Sequence, residues 1–214
     1  MKPDQAAENL QVIRTLMERS AVYRRALAPV MLYVGSIGII GAVVSRVFKI
    51  ESNLHFIAFW LGVCFVAVSG VFLLVRREAV RSREPFWTPP TRRVAEAMSP
   101  AFLLGAFYTV IIFSLKGGGM AAGFLPLIWS IFYGFALHSA GFVMPRIVKV
   151  LGWCCMIVPT AILGLAVLPV IKEAIKDLVF VFKGGELLMG LTFGMFHFLA
   201  GIYLYFTESR KTAP

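Results

Sequence analysis

FIAFWLGVCFVAVSGVFLLV, residues 56–75, is a run of twenty residues without a single charged side chain. An α-helix needs roughly 20 apolar residues to cross the ~30 Å hydrocarbon core of a bilayer. Five other stretches of the chain have the same character, and none of them has a charged residue in its middle. The predicted spans are 27–45, 54–75, 99–115, 121–144, 149–171 and 186–206.

Helices are the expected conformation of these spans, because lipid offers no water to unpaired backbone groups. Strands of a membrane barrel would be about ten residues long with alternating polarity, and the spans show neither property. The chain has 214 residues and is 59% hydrophobic, which leaves no room for a separate soluble domain. The sequence therefore predicts an all-α integral membrane bundle of six transmembrane helices.

The charged leader before the first span has the pattern of an amphipathic helix. Its apolar residues recur at helical spacing and form one stripe, namely Ala6, Leu10, Ile13, Met17 and Ala21. We therefore divide the chain into three parts. They are a cytoplasmic amphipathic leader, residues 1–26, a six-helix transmembrane domain, residues 27–206, and a cytoplasmic tail, residues 207–214.

Basic residues are distributed unevenly between the two ends of the predicted bundle. Fifteen of the 21 Lys and Arg residues lie in the leader, in the segments 76–98 and 146–149, and in the tail, and the other six lie on the opposite side. The positive-inside rule then places both termini and residues 76–98 in the cytoplasm of a bacterium, with the protein in its inner membrane. The net charge of +10 does not indicate nucleic-acid binding, because these residues flank spans and are expected to contact anionic lipid.

Small residues form stripes at helical spacing on three of the spans. Such stripes let membrane helices approach closely, so they predict tight packing rather than an open water-filled channel. The glycines assigned to helix packing are Gly35 and Gly38 in the first span, Gly134 and Gly141 in the fourth, and Gly190, Gly194 and Gly201 in the sixth.

Two histidines lie deep within predicted spans, His138 in the fourth and His197 in the sixth, whereas His55 lies at the end of the second. The two spans run in the same direction, and both histidines share a stripe with glycines, so both are expected to point into the bundle. One interpretation is packing, in which each ring bonds a polar group such as Ser139, Tyr133 or Thr192 and no cofactor is held. The alternative is that the two imidazoles ligate haem b.

Carboxylates are absent from the interior of the predicted spans, where ion-coupled transporters normally keep ionisable groups, and all eleven lie in loops or at span ends. The chain also contains no GxSxG, HExxH or P-loop pattern. These observations disfavour an ion-coupled transporter and assign no catalytic residue and no metal ligand, so an enzyme is the less favoured class.

The longest polar segment between spans is RREAVRSREPFWTPPTRRVAEAM, residues 76–98. Its prolines prevent one continuous helix, and Trp87 is expected at headgroup level. Together with Arg92 and Arg93 it makes this loop the predicted contact site for a membrane or cytoplasmic protein, with the leader 1–26 as a second such site. An ordinary basic connector has the same composition.

Four segments resemble a family of uncharacterised six-span bacterial membrane proteins. They are IRTLMERSAVYRRALAP (13–29), FWTPPTRR (86–93), IWSIFYGFALHSAG (128–141) and FGMFHFLAGIYLYF (193–206). Members of this family look like proteins often encoded beside winged-helix transcriptional regulators. The resemblance implies a regulated membrane function and transfers no catalytic residue.

Three functions remain open at this point. The leading hypothesis is a non-catalytic accessory, sensory or assembly component that works through protein and lipid contacts. The first alternative is a membrane redox protein that holds haem through His138 and His197. The second is an uncoupled permease for a small neutral solute.

The distribution of basic residues makes a testable prediction about topology. Reporter fusions after Gly118 and Lys176 should report the periplasm, and a fusion after Pro214 should report the cytoplasm, because the cytoplasmic side carries the excess of Lys and Arg. A periplasmic signal from the fusion after Pro214 would contradict the six-span topology.

Overall fold

The structure, a computed structural model, describes residues 27–50, 52–83, 85–114, 124–167 and 185–209. These residues form helices and no strands. In chain order the helices are α1 Leu27–Val47, α2 Asn53–Arg81, α3 Pro89–Ser114, α4 Leu125–Ala140 and α5 Arg146–Val167. The last helix, α6, has three consecutive parts, Glu186–Met189, a π-helical segment Gly190–Met195, and Phe196–Ser209.

Five of these helices, all except α4, are long and apolar enough to cross a membrane. The all-helical prediction and the apolar spans are therefore confirmed at that level. Helix α4 is equally apolar but has 16 residues, fewer than the predicted span 121–144. It ends because Gly141 begins a turn, and Pro145, four residues later, has no N–H with which to continue a helix.

Other sequence predictions fall outside the described part of the chain. The amphipathic leader 1–26 and the end of the tail after residue 209 belong to this group. The second half of the predicted loop 76–98 is helical, because α3 begins at Pro89 and continues to Ser114 without a break.

Helices α1 and α6 pack against each other in antiparallel register through their glycines. A Cβ atom placed on Gly35 would lie 2.5 Å from the backbone nitrogen of Phe198, and one on Gly38 would lie 2.7 Å from that of Gly194. One turn further along α1, the side chain of Ala42 occupies the space beside Gly190. Contacts this short leave no space for a side chain, so the two stripes of small residues form one interface.

An ion pair closes the same interface at one end. Arg46 Nη1 lies 2.7 Å from Glu186 Oε1, and the Glu186 side chain is largely buried at the start of α6. The carboxylate also lies in the first turn of α6, where the helix dipole favours negative charge. The pair therefore fixes the longitudinal position of α1 relative to α6.

A second antiparallel pair, α4 and α5, is also built on glycines. A Cβ atom on Gly134 would lie 2.8 Å from the carbonyl oxygen of Gly152, and one on Gly141 would meet the backbone of Lys149 at the same distance. Helix α3 packs along α4. Helices α2 and α3 approach each other closely at few points and expose most of their apolar side chains.

The α1–α6 contact predicts that Gly194→Leu destabilises the bundle. A leucine there would collide with the backbone of Ile39 and Gly38, and separating two close-packed helices should cost about 1–3 kcal/mol. The matched control is Gly164→Leu, because no atom of the described residues lies within 4 Å of a Cβ at Gly164. Thermal melts in detergent should show a lower Tm for Gly194→Leu alone, and equal melts would contradict this packing.

Candidate functional site

His197 is almost completely buried, with 1% of its surface exposed. Its Nδ1 lies 3.1 Å from the Thr192 carbonyl oxygen, and its Nε2 lies 2.7 Å from the Tyr133 hydroxyl. Because a carbonyl oxygen only accepts, Nδ1 must carry the ring proton and donate it. Nε2 then accepts from the Tyr133 O–H, so both nitrogens are satisfied and the tautomer is fixed by the two partners.

The π-helical segment places the Thr192 carbonyl in reach of the ring. In this segment the backbone bonds run five residues back, as from Phe196 N–H to the Leu191 carbonyl. The His197 ring spans the same interval of five residues to Thr192. Such single-turn π segments often occur at functional positions in helices.

A second hydrogen-bonded pair lies next to the ring. The Thr192 hydroxyl donates to the Leu188 carbonyl over 2.8 Å, so the Ser130 hydroxyl donates to Thr192 Oγ1 over 3.0 Å. Ser130 and Thr192 are fully buried. Ser130 and Tyr133 on α4 therefore each form a hydrogen bond to α6. The order of the two pairs shows that α4 and α6 run in the same direction, as predicted.

His138 lies apart from this site. Its ring contacts Trp153 and Phe142, with centroid distances of 5.1 Å and 5.4 Å, and the side chain is half-buried. No hydrogen bond or ring contact joins His138 to His197 within the described segments, although the sequence pattern placed both inside the bundle. A haem held by these two residues would require His197 to give up Tyr133 or Thr192.

An elongated apolar cavity of about 570 Å³ runs between α1, α2, α3, α4 and α6. We call it the slot. Its wall includes Met31, Val34, Trp60, Cys64, Val71, Ala79, Met98, Phe102, Gly105, Trp129, Tyr133, Phe193 and His197. The α2 residues of the wall recur at helical spacing from Trp60 to Ala79, so the slot follows one face of that helix for about 28 Å of helical rise.

Polar groups in the slot wall are few, and most of them are already paired. Trp129 donates its indole N–H to Thr109 Oγ1 over 2.8 Å, and the Thr109 hydroxyl donates to the Gly105 carbonyl. Trp60 differs, because it is 3% exposed and its indole nitrogen has no hydrogen-bond partner among the described residues. Unpaired buried donors are uncommon and call for an explanation.

The predicted loop contact site lies beside one end of the slot. Pro85, Phe86 and Thr88 belong to the slot wall, and Phe86 packs edge-on against Phe72 of α2 with ring centroids 5.0 Å apart. Trp87 is exposed, as are Arg92 and Arg93, and Arg92 pairs with Glu96 over 2.7 Å. We call this end, formed by residues 76–93, the basic end.

The sequence offered three candidate partners for the histidines. Two of them, Tyr133 and Thr192, bond the His197 ring, and Ser139 does not. Sequence reasoning missed Trp60 and the slot. An apolar residue in a span has the same sequence signature whether it faces lipid, a cavity or another helix. A sequence signal for the slot was present on α3, where the small side chains of Ala101, Gly105 and Ala106 leave space beside the helix.

The two hydrogen bonds of His197 predict a graded response to substitution. His197→Gln keeps a polar group for Tyr133 and should be tolerated better than His197→Leu, which leaves buried groups unpaired at a cost of about 1–3 kcal/mol. Tyr133→Phe removes one bond, worth about 0.6 kcal/mol on average in membrane helices.

The control is Tyr203→Phe, since Tyr203 is exposed. In thermal melts in detergent, the parent and Tyr203→Phe should have the same, highest Tm. Tyr133→Phe and His197→Gln should have a lower Tm, and His197→Leu the lowest. If His197→Leu has the same Tm as the parent, the hydrogen bonds of His197 that join α4 and α6 contribute nothing to stability.

Comparisons with known proteins give no relative from which a function could be transferred. A scan against protein-family models found no match, and searches of curated proteins and of solved structures found none either. The function of this chain therefore has to be inferred from the geometry of its own residues.

Proposed function

We propose that this chain is a six-span protein of the bacterial inner membrane that acts as a non-catalytic, sensory component by holding one apolar chain in the slot. The observation that carries the proposal is the slot itself, an elongated cavity of about 570 Å³ with an almost entirely apolar wall. Its volume lies within the range of about 300–1,000 Å³ typical of ligand sites.

The orientation follows from the basic residues. Six of them lie in the segment 76–93, so the basic end is placed in the cytoplasm together with both termini. In this proposal α4 is the fourth span, and its 16 helical residues correspond to about 24 Å of rise. That length is shorter than a typical hydrocarbon core, and a short span is accommodated by local thinning of the bilayer.

The dimensions of the slot favour a long, thin ligand over a compact solute. The slot follows α2 for about 28 Å of helical rise, close to the ~30 Å thickness of the hydrocarbon core. An extended chain can contact the wall over that whole length, and a compact solute cannot. A molecule with a single long chain therefore fits the slot better than a small neutral solute does, which disfavours the uncoupled-permease alternative.

The position of the cytoplasmic loop explains why a sensory role is favoured. Pro85, Phe86 and Thr88 form part of the slot wall, whereas Trp87, between them, faces outward. A chain that fills or leaves the slot would contact one side of this segment, and a protein partner would bind the other. A cytoplasmic partner bound to the loop 76–98 would then detect whether the slot is occupied.

The haem alternative remains a proposal of lower rank. Both nitrogens of His197 are engaged by Tyr133 and Thr192, and His138 packs on Trp153. An axial ligand at His197 requires the loss of one of these bonds. The visible spectrum of purified protein tests it directly, because haem b gives an intense Soret band.

The slot predicts that Gly105→Leu excludes the bound chain without unfolding the protein. Gly105 belongs to the slot wall, and its nearest neighbour, on the Phe132 ring, would lie 3.9 Å from a new Cβ. The leucine side chain should therefore enter the slot rather than strike backbone. Native mass spectrometry should show a chain-bearing molecule bound to the parent and a several-fold lower occupancy in Gly105→Leu.

The matched control is Gly62→Leu on α2, where no atom in the described part of the chain lies within 4 Å of a Cβ. Gly62 is exposed and does not belong to the slot wall, so this variant should keep the occupancy of the parent. Equal occupancy in Gly105→Leu and Gly62→Leu would place the bound molecule outside the slot and overturn the proposed function.

A further inference from the structure

We propose that the slot binds a single-chain amphiphile with an anionic head, the class to which long-chain fatty acids belong, with the tail along the slot and the head at the basic end. This inference rests on the proposed function and adds the chemical class of the ligand. It begins from the two ends of the slot, which differ in the residues that form them and in the charges nearby.

The end of the slot away from the basic end is blind. Its wall includes Trp60 and Met189, which pack with Phe56 and Ala42 in one buried apolar cluster. Helix α2 continues beyond Trp60 to Asn53, about 10 Å of further rise, so this end of the slot lies inside the bundle. A charged or strongly polar head would be cut off from water there, at a high cost in free energy.

The basic end of the slot, in contrast, reaches the ends of three helices. Leu27 is the first residue of α1, Ala79 lies two residues before the end of α2, and Thr91 lies two residues after the start of α3. All three belong to the slot wall, together with Pro85 and Thr88 of the connecting loop. A head at this end can therefore remain in contact with water while the tail enters the apolar part of the slot.

The slot is also open along its side, because Leu61, Val68 and Phe102 of the wall are exposed. In the proposed orientation this side faces the hydrocarbon core, which suits the entry of an apolar chain but offers no water to a polar head. The head of a bound amphiphile is therefore assigned to the basic end and its tail to the rest of the slot.

The charges at the basic end favour an anionic head. Residues 76–93 contain six arginines and two glutamates, a surplus of four positive charges. All six arginines are exposed, and within the described ranges Arg92 is the one of them that forms an ion pair, with Glu96. The other five can attract a negative head and hold it by charge-assisted hydrogen bonds. Beyond the blind end, Arg46 and Glu186 neutralise each other.

Glu78 opposes this attraction, because it is the one charged side chain of the slot wall. It is half-buried, and it accepts a hydrogen bond from Ser82 Oγ over 3.5 Å without forming an ion pair to any described residue. One carboxylate among five unpaired arginines leaves the local field positive. An anionic head is therefore favoured over a cationic one, and the effect of Glu78 on affinity reveals the sign of the bound head.

The test uses full-length protein in detergent and three probes of equal chain length, a fatty acid, a fatty alcohol and an alkyltrimethylammonium salt. Binding is measured by native mass spectrometry at alkaline pH, where the acid is ionised. The parent should bind the acid about 5- to 30-fold more tightly than the alcohol, and the ammonium probe most weakly. Added salt should reduce the preference for the acid, because it screens charges near the surface.

The variant Arg81→Gln/Arg83→Gln removes two positive charges next to the wall residue Ala79. It should weaken binding of the acid about 3- to 10-fold and leave binding of the alcohol unchanged. The matched control is Arg81→Lys/Arg83→Lys, which keeps both charges and should keep the preference for the acid. Equal loss of acid binding in both variants would overturn the role of charge.

Glu78→Gln provides the test of sign. Removal of the opposing carboxylate should strengthen binding of the acid about 2- to 5-fold and weaken binding of the ammonium probe. The opposite pattern would show that Glu78 holds a cationic head and would overturn the inference. Should the arginine variants not fold, the order in which the parent binds the three probes still decides it.

Failure of this inference can be distinguished from failure of the proposed function. If the parent binds the acid and the alcohol equally while Gly105→Leu lowers the occupancy of both, the slot holds chains without reading the head, and the proposed function stands. If no probe binds the parent and Gly105→Leu leaves bound chains unchanged, both fail.

A last competitor separates the single-chain ligand from a bilayer lipid. Phosphatidylglycerol has an anionic head and two chains, one of which would stay outside the slot. Retention of the acid in the presence of an equal concentration of phosphatidylglycerol would support a single-chain ligand, and displacement of the acid would overturn it.

Discussion

The close approach of α1 and α6 is the constraint on which the remaining architecture depends. Backbone meets backbone at Gly35, Gly38 and Gly194, and the register that results is locked at one end by the Arg46–Glu186 ion pair. Lipid tails are as apolar as the side chains that they replace, so membrane helices associate through such fit rather than through a hydrophobic driving force. Between α2 and α3 no glycine of the described residues brings the two helices into contact, and the slot opens there.

His197 connects this glycine-packed pair to the second one. Its ring forms one hydrogen bond to Thr192 within α6 and one to Tyr133 on α4. Helix α4 is itself packed on α5 through Gly134 and Gly141. The π-helical segment makes this pair of hydrogen bonds possible, because it directs the Thr192 carbonyl to the ring. These contacts join α1, α6, α4 and α5 into one group, and the slot lies between that group and the helices α2 and α3.

Sequence reasoning predicted the features that depend on local composition. The apolar helices follow from uncharged runs, and the partners of His197 were among the polar residues at the same depth. Three features escaped it for physical reasons. The early end of α4 depends on one turn at Gly141, the π-helical segment on an extra residue that no periodicity shows, and the slot on a distance between α2 and α3 that hydropathy does not encode. Trp60 was passed over because an indole in a span counts as apolar until its N–H is seen to lack a partner.

The energetics of an apolar void explain why the slot points to a bound chain. Its wall is almost entirely apolar, and the slot is partly open to its surroundings, since Leu61, Val68 and Phe102 of the wall are exposed. Water finds few polar partners on such a wall, whereas an apolar chain can enter from the side and cover it. Many chains can do so, so the wall by itself selects for length and apolar character rather than for one membrane molecule over another.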